Sequence, residues 1–326
     1  MRIFYLSIIL SLYAIYGSIS FAQEPQCKAF GTKFFFETES SEGILKCLSQ
    51  IDDKSKFLLN TEFDTLGNLI PTNAVLAGVE TVVLAGLLEA LNEDEREAVF
   101  AHRNLKSQTI LHLAVISPNA VQLIRELGHF DIDANLCAAR KDEWLPWQED
   151  LCDTPLHTAV ENNASFEVLQ SLLSIGANPE IPNRDGKFPA NISAMNDQET
   201  AKITLLQKAT GDLKFDKTPY NGKEGHELNA IFYLVKNSQD HRKLERLFQI
   251  TDESDHDAEM DWNERNIAHW AAINAKTPEM FEVVMNYSKE FLCEPDSTEK
   301  TPRELTEGNP VLVGTTQKLD LINACP

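Results

Sequence analysis

The sequence predicts an all-α solenoid, built from stacked helix pairs and closed by disulfide-stapled caps. Three observations predict it. A short motif recurs along most of the 326 residues, an amphipathic segment follows each copy, and the six cysteines fall into sequence-local pairs. Hydrophobic residues make up 43% and aromatics 8%, enough to bury a substantial core, and Gly and Pro at 14 each are too few for a low-complexity chain.

The clearest copy of the motif is Asp153-Thr154-Pro155-Leu156-His157-Thr158-Ala159-Val160. It returns as Thr109-Ile110-Leu111-His112-Leu113-Ala114-Val115 and as Asn266-Ile267-Ala268-His269-Trp270-Ala271-Ala272. Weaker copies centre on Asn191 and Phe232, and two more on Thr72 and Glu304 mark the ends. Successive copies lie 34 to 45 residues apart. Each predicts a short helix followed by a second. Behind His157, Phe166, Val168, Leu169, Leu172 and Leu173 recur at helical spacing and Gly176 supplies a left-handed stop. Behind His112 the stripe is Val121, Leu123, Ile124 and Leu127; behind Phe232 it is Leu244, Leu247 and Phe248; behind His269 it is Met280, Phe281, Val283 and Val284. A helix pair of this size cannot cover its apolar face alone, so neighbours must stack.

The run Leu172-Leu173-Ser174-Ile175-Gly176-Ala177-Asn178-Pro179, followed by Asn183-Arg184-Asp185-Gly186 and then Phe188-Pro189, resembles the ankyrin repeat. The resemblance extends over about residues 60–326 and is strongest at 153–194. It implies an ankyrin-like helical repeat array of six or seven repeats, and binding of another protein through the concave face. It also implies that His112, His157 and His269 are structural, bonded to the preceding threonine and to neighbouring backbone. Three departures stand out: most intervals exceed the usual ~33 residues, Phe232 and Glu304 replace the histidine, and Asp-Gly is missing before most copies.

Residues 1–22 read as a signal peptide. Arg2 is the only charge before Glu24, residues 3–17 are apolar but short for a membrane span, and Ser20-Phe21-Ala22 suits a signal peptidase. The expected domain order is then this leader, an N-terminal capping unit at 23–60, and the array at 61–326, whose last repeat caps the stack. No membrane span is expected after cleavage, and the expected location is periplasmic or secreted. In an oxidising compartment an even cysteine count favours bridges, here Cys27 with Cys47, Cys137 with Cys152, and Cys293 with Cys325. Closing the 15-residue loop between Cys137 and Cys152 contributes about 3 kcal/mol in the chain-entropy model.

The formal net charge of −21, one unit more negative without Arg2, excludes nucleic acid and anionic membranes as natural partners. It suits a basic protein. The longest interval holds AARKDEWLPWQEDL, where Trp144, Leu145 and Trp147 stand in a charged loop closed by two cysteines. Tryptophans so placed are frequent binding hot spots. The acidic run 252–264 includes Asp255, Asp257 and Trp262 and forms a second candidate contact surface. It fails as an EF-hand, with Met260 at the glycine position and Asn266 in place of the bidentate Glu. His226-Glu227 lacks a second histidine, since residue 230 is Ala. No catalytic triad, phosphate loop, metal site or cofactor motif is found, and no enzyme is expected. The reading is an exported interaction scaffold, in its concrete form an inhibitor or immunity-like protein that occludes an enzyme of the cell envelope. Two alternatives stand beside it: a secreted effector binding a host or prey protein, and a metal-binding or degenerate enzyme using loop 252–264.

Overall fold

Helices of six to eleven residues, such as Ile110–Val115 and Thr200–Thr210, are too short to persist alone in water, so each must be defined by its caps and held by its neighbours. The computed structural model describes residues 25–61, 64–138, 152–214, 216, 228–251, 263–317 and 320, and among them every regular element is helical. Caps set the starts. The Asn229 carboxamide oxygen accepts from the amides of Ile231 and Phe232, the Asn266 oxygen from those of Ala268 and His269, and Ser165 and Thr277 cap second helices in the same way. Pro71, Pro155, Pro189, Pro278 and Pro302 occupy first-turn positions where no amide is needed.

Two rows result. The first helices are Lys33–Thr38, Ile70–Ala77, Ile110–Val115, Pro155–Glu161, Pro189–Met195, Ala230–Asn237, Ile267–Asn274 and Pro302–Leu305, each packed on the next. The second helices are Ser41–Ser49, Thr81–Glu89, Ala120–Gly128, Phe166–Ser174, Thr200–Thr210, His241–Phe248 and Pro278–Tyr287, again each on the next. The segment read as an N-terminal cap therefore contributes a helix pair that continues both rows. First helices between the two ends of the row are buried along most of their length because each is flanked on both sides: every residue from Ile110 to Val115 is buried. Second helices bury one stripe, as Val168, Leu169, Ser171 and Leu172 do.

Among the described residues two α-helices lie outside the two rows. Lys54–Leu58 and Glu93–Ala101 each follow a second helix, and Ser55 Oγ donates to Glu95 Oε1 at 2.5 Å to join them. The second has the capping box Asn92–Glu95, a signal present in the sequence and hidden by an otherwise acidic stretch. Among the described residues no helix is long and apolar enough to cross a membrane.

The missing Asp-Gly signal has a geometric explanation. Two residues before five of the described first-helix caps the backbone is left-handed, at Gly67, Ser107, Gly186, Glu264 and Glu299, with φ between 57° and 76°, while Cys152 before the Thr154 cap does not share this conformation. Five residues before the cap an Asn or Asp closes the turn. Asn104 Oδ1 accepts from the amides of Lys106 and Gln108, Asn183 Oδ1 from Asp185 and Lys187, and Asp296 Oδ1 from Thr298 and Lys300. The turn survives where the glycine does not. Glu299 holds its φ of 63° against a steric cost that glycine lacks. Glu299→Gly is expected to raise stability by ~0.5–1 kcal/mol, read as a higher urea midpoint at unchanged slope.

Candidate protein-binding surface

The turns between successive pairs form a line of fingers, and at three places a buried histidine ties one finger to the next. His112 Nδ1 lies 2.7 Å from Thr109 Oγ1, and its Nε2 lies 3.0 Å from the carbonyl of Asp153 in the following finger. His157 repeats the arrangement with Thr154 Oγ1 at 2.9 Å and the Lys187 carbonyl at 3.2 Å. The Thr109 and Thr154 amides also donate to the Nδ1 atoms, so Nδ1 accepts and Nε2–H donates to the carbonyl. Burial lowers the pKa of both rings to about 4 and keeps them neutral. His269 differs. Its Nδ1 faces Asn266 Oδ1 at 2.8 Å and its Nε2 faces the Lys300 carbonyl at 3.2 Å. Both partners only accept, and a neutral ring has one proton for the two. The three histidines thus reach three different fingers rather than one cavity.

Where the histidine is absent, other groups take its place. Asn191 Nδ2 donates to the Lys214 carbonyl at 2.7 Å and to Asp216 Oδ1 at 2.9 Å. Phe232 meets the Trp270 ring edge-on at 5.6 Å, and Lys236 stands over that Trp at 5.8 Å.

The loop read as a tryptophan-bearing contact lies outside the described residues, and with it Trp144, Leu145 and Trp147. Its base is described. Cys137 and Cys152 are disulfide-bonded with Cα atoms 5.2 Å apart, and the Ala138 amide donates to the Asp153 carbonyl at 2.9 Å just beside the bridge. Arg103 Nε donates to the Cys137 carbonyl and the Cys152 amide to the Pro182 carbonyl, so both stems are fastened to neighbouring fingers. Cys27 and Cys47 are bonded likewise, with Cα atoms 5.4 Å apart. Cys293 is disulfide-bonded, and its expected partner Cys325 lies outside the described residues. So do Asp255, Asp257 and Trp262. The C-terminal stem of their loop is held by the Ser297 amide donating to the Asn263 carbonyl at 2.9 Å and by Arg265 Nε on Asp296 at 2.9 Å. Burial opposes the Asp296 charge, but bonds from Thr298, Arg265 and the Lys300 amide hold the carboxyl well below the usual range. Among the described residues no group of three His, Cys, Asp or Glu side chains can hold a metal ion.

Sequence reasoning missed Leu105. It sits at a fingertip, 79% exposed, with its amide donating to the Leu66 carbonyl at 2.8 Å. The signal was available: the tip position four residues before a cap needs no buried side chain, and a leucine there has no packing role.

A family model described as the ankyrin repeat matches residues 152–184, the copy with the most complete motif. Among solved structures, the ankyrin repeat domain of Bcl-3, a member of the IkappaB protein family, is similar at 17% identity with a TM-score of 0.56, covering 80% of this chain and 98% of that one. A chain from the complex of the predatory endopeptidase Bd0816 of Bdellovibrio bacteriovorus with the immunity protein Bd3460 is similar at 21% identity with a TM-score of 0.48, covering 68% of this chain and 97% of that one. No curated protein matches the sequence. Residues 152–184 thus carry an ankyrin repeat, and the fold of the described residues is a helical repeat solenoid like that of ankyrin-repeat domains.

The buried histidines give stability a definite pH dependence. A folded pKa of about 4 against ~6.5 in the unfolded chain means that unfolding takes up protons. The contribution of each ring is complete above about pH 6.5 and is lost as the pH falls toward 4, on the order of 3 kcal/mol per ring. Urea titrations from pH 7.5 to 4 are expected to show this loss, and His157→Gln is expected to flatten it by about one proton.

Proposed function

We propose that the chain is an exported scaffold whose work is to bind another protein, and that the guest is a basic enzyme of the cell envelope or extracellular space which it occludes. The observation that carries this is the fastening of the 138–151 loop to the finger line. A disulfide and a backbone hydrogen bond close its base, and Arg103 and Pro182 anchor its two stems. A loop held this way loses less freedom when it meets a partner. It carries Trp144, Leu145 and Trp147 among charged neighbours, a composition suited to an interface anchor. Two sequence features add direction. The leader at 1–22 and the disulfides point to an oxidising compartment, and the strong negative charge favours a basic guest.

Capture from an envelope fraction, with mass spectrometry of what co-purifies, identifies the guest. Its activity with and without the scaffold then separates occlusion from tethering. With that guest in hand, Trp144→Ala and Trp147→Ala are each expected to weaken binding at least tenfold, about 1.4 kcal/mol, with the thermal midpoint unchanged. Unchanged affinity together with a large loss of stability would instead make the rings part of a satellite core. Cys137→Ser with Cys152→Ser is expected to weaken the same complex chiefly through a faster off-rate. N-terminal sequencing of the exported protein is expected to begin at Gln23.

A further inference from the structure

The buried apolar side chains do not form one continuous core. One cluster runs from Cys27 to Leu206 and a second from Ala194 to Leu312, and they part inside the fifth helix pair, Pro189–Met195 and Thr200–Thr210. Ala190, Ile192 and Leu206 belong to the first cluster, Ala194 and Ile203 to the second. Beside these apolar residues the pair buries many polar groups. Asn191, Ser193, Gln198, Lys202, Gln207 and Thr210 are all buried within it.

These groups bond outward to both neighbours. Toward the fourth pair, Gln198 Nε2 donates to the Val160 carbonyl at 2.6 Å and Lys202 Nζ to Asn163 Oδ1 at 2.8 Å. Toward the sixth, Asp216 Oδ2 accepts from Tyr233 Oη at 2.5 Å and from Lys187 Nζ at 3.2 Å, while Oδ1 accepts from Asn191. Neither Asn191 nor Phe232 provides the histidine staple found on the N-terminal side at His112 and His157 and on the C-terminal side at His269.

From this layering we infer that the fifth pair is a hinge at which the array opens as two cooperative blocks, residues 25–188 and 230–317. The physical reason is an asymmetry between the contacts. Apolar faces lose their full burial on separation, whereas amide, ammonium and carboxylate groups regain bonds to water. In a linear array each repeat couples only to its neighbours, so one polar layer suffices to divide cooperativity. Burial raises the pKa of the Asp216 carboxyl despite bonds from Tyr233, Asn191 and Lys187, so this group also gains hydration when the layer opens.

Hydrogen exchange with mass spectrometry across a urea series, on the full chain with disulfides intact, tests the hinge. Peptides from 70–174 are expected to lose protection together, peptides from 230–287 together, and the two groups at different urea concentrations. Leu169→Ala is expected to move only the first step and Leu244→Ala only the second, each by about 1 M urea. One concerted loss of protection over 70–287 in the unmodified protein overturns the hinge. So does a variant in one block that shifts both steps equally. The unmodified protein alone decides the matter should either variant fail to fold.

Discussion

The structure depends on mutual burial between consecutive first helices. Each is six to eight residues long across the middle of the array, too short to hold its own hydrogen bonds against water, and each is buried on both sides by its neighbours. Everything else fixes the spacing of that stack. Capping residues set where each helix begins, left-handed turns bring the chain back, and buried imidazoles carry one finger to the next. Lysines clamp the opposite edge: Lys202 and Lys243 reach the left-handed residues Asn163 and Asp197 of the preceding pair.

This arrangement separates what must be conserved in shape from what is free to vary. The fingers present their tips to solvent while their stems carry the bonding, so Leu105 stands exposed on a turn that Asn104 closes. Long insertions are tolerated at such turns because only the stems need to meet. At one finger the disulfide between Cys137 and Cys152 joins the two stems directly. Binding by a scaffold of this kind needs no convergence of reactive groups. Three histidines held apart by three fingers suit that reading and would not suit a metal centre or a proton relay.

The fifth pair shows how the repeat yields locally. Its histidine position holds Asn191, whose amide reaches the Lys214 carbonyl and Asp216 at once. A sequence comparison sees only a degraded motif at this place. The coordinates show a bonded polar layer, with Lys187, Asp216 and Tyr233 mutually within hydrogen-bond distance.

By itself the sequence determined the helical class, the positions of the repeats and the pairs Cys27–Cys47 and Cys137–Cys152, because each rests on periodicity, capping or spacing within a few tens of residues. Thr154-Pro155-Leu156-His157 and the stripe from Phe166 to Leu173 carry their structure locally. Only the tertiary structure decided that residues 33–49 continue both rows, that Glu93–Ala101 is an added helix tied to Ser55, and that Ser107, Glu264 and Glu299 perform the turn expected of glycine. It also decided that Asn191 meets Asp216, a partner with no place in the motif. The physical reason is the same in each case: these features are stabilised by groups from another repeat or another turn, and a pattern read along one segment does not contain the partner that makes it stable.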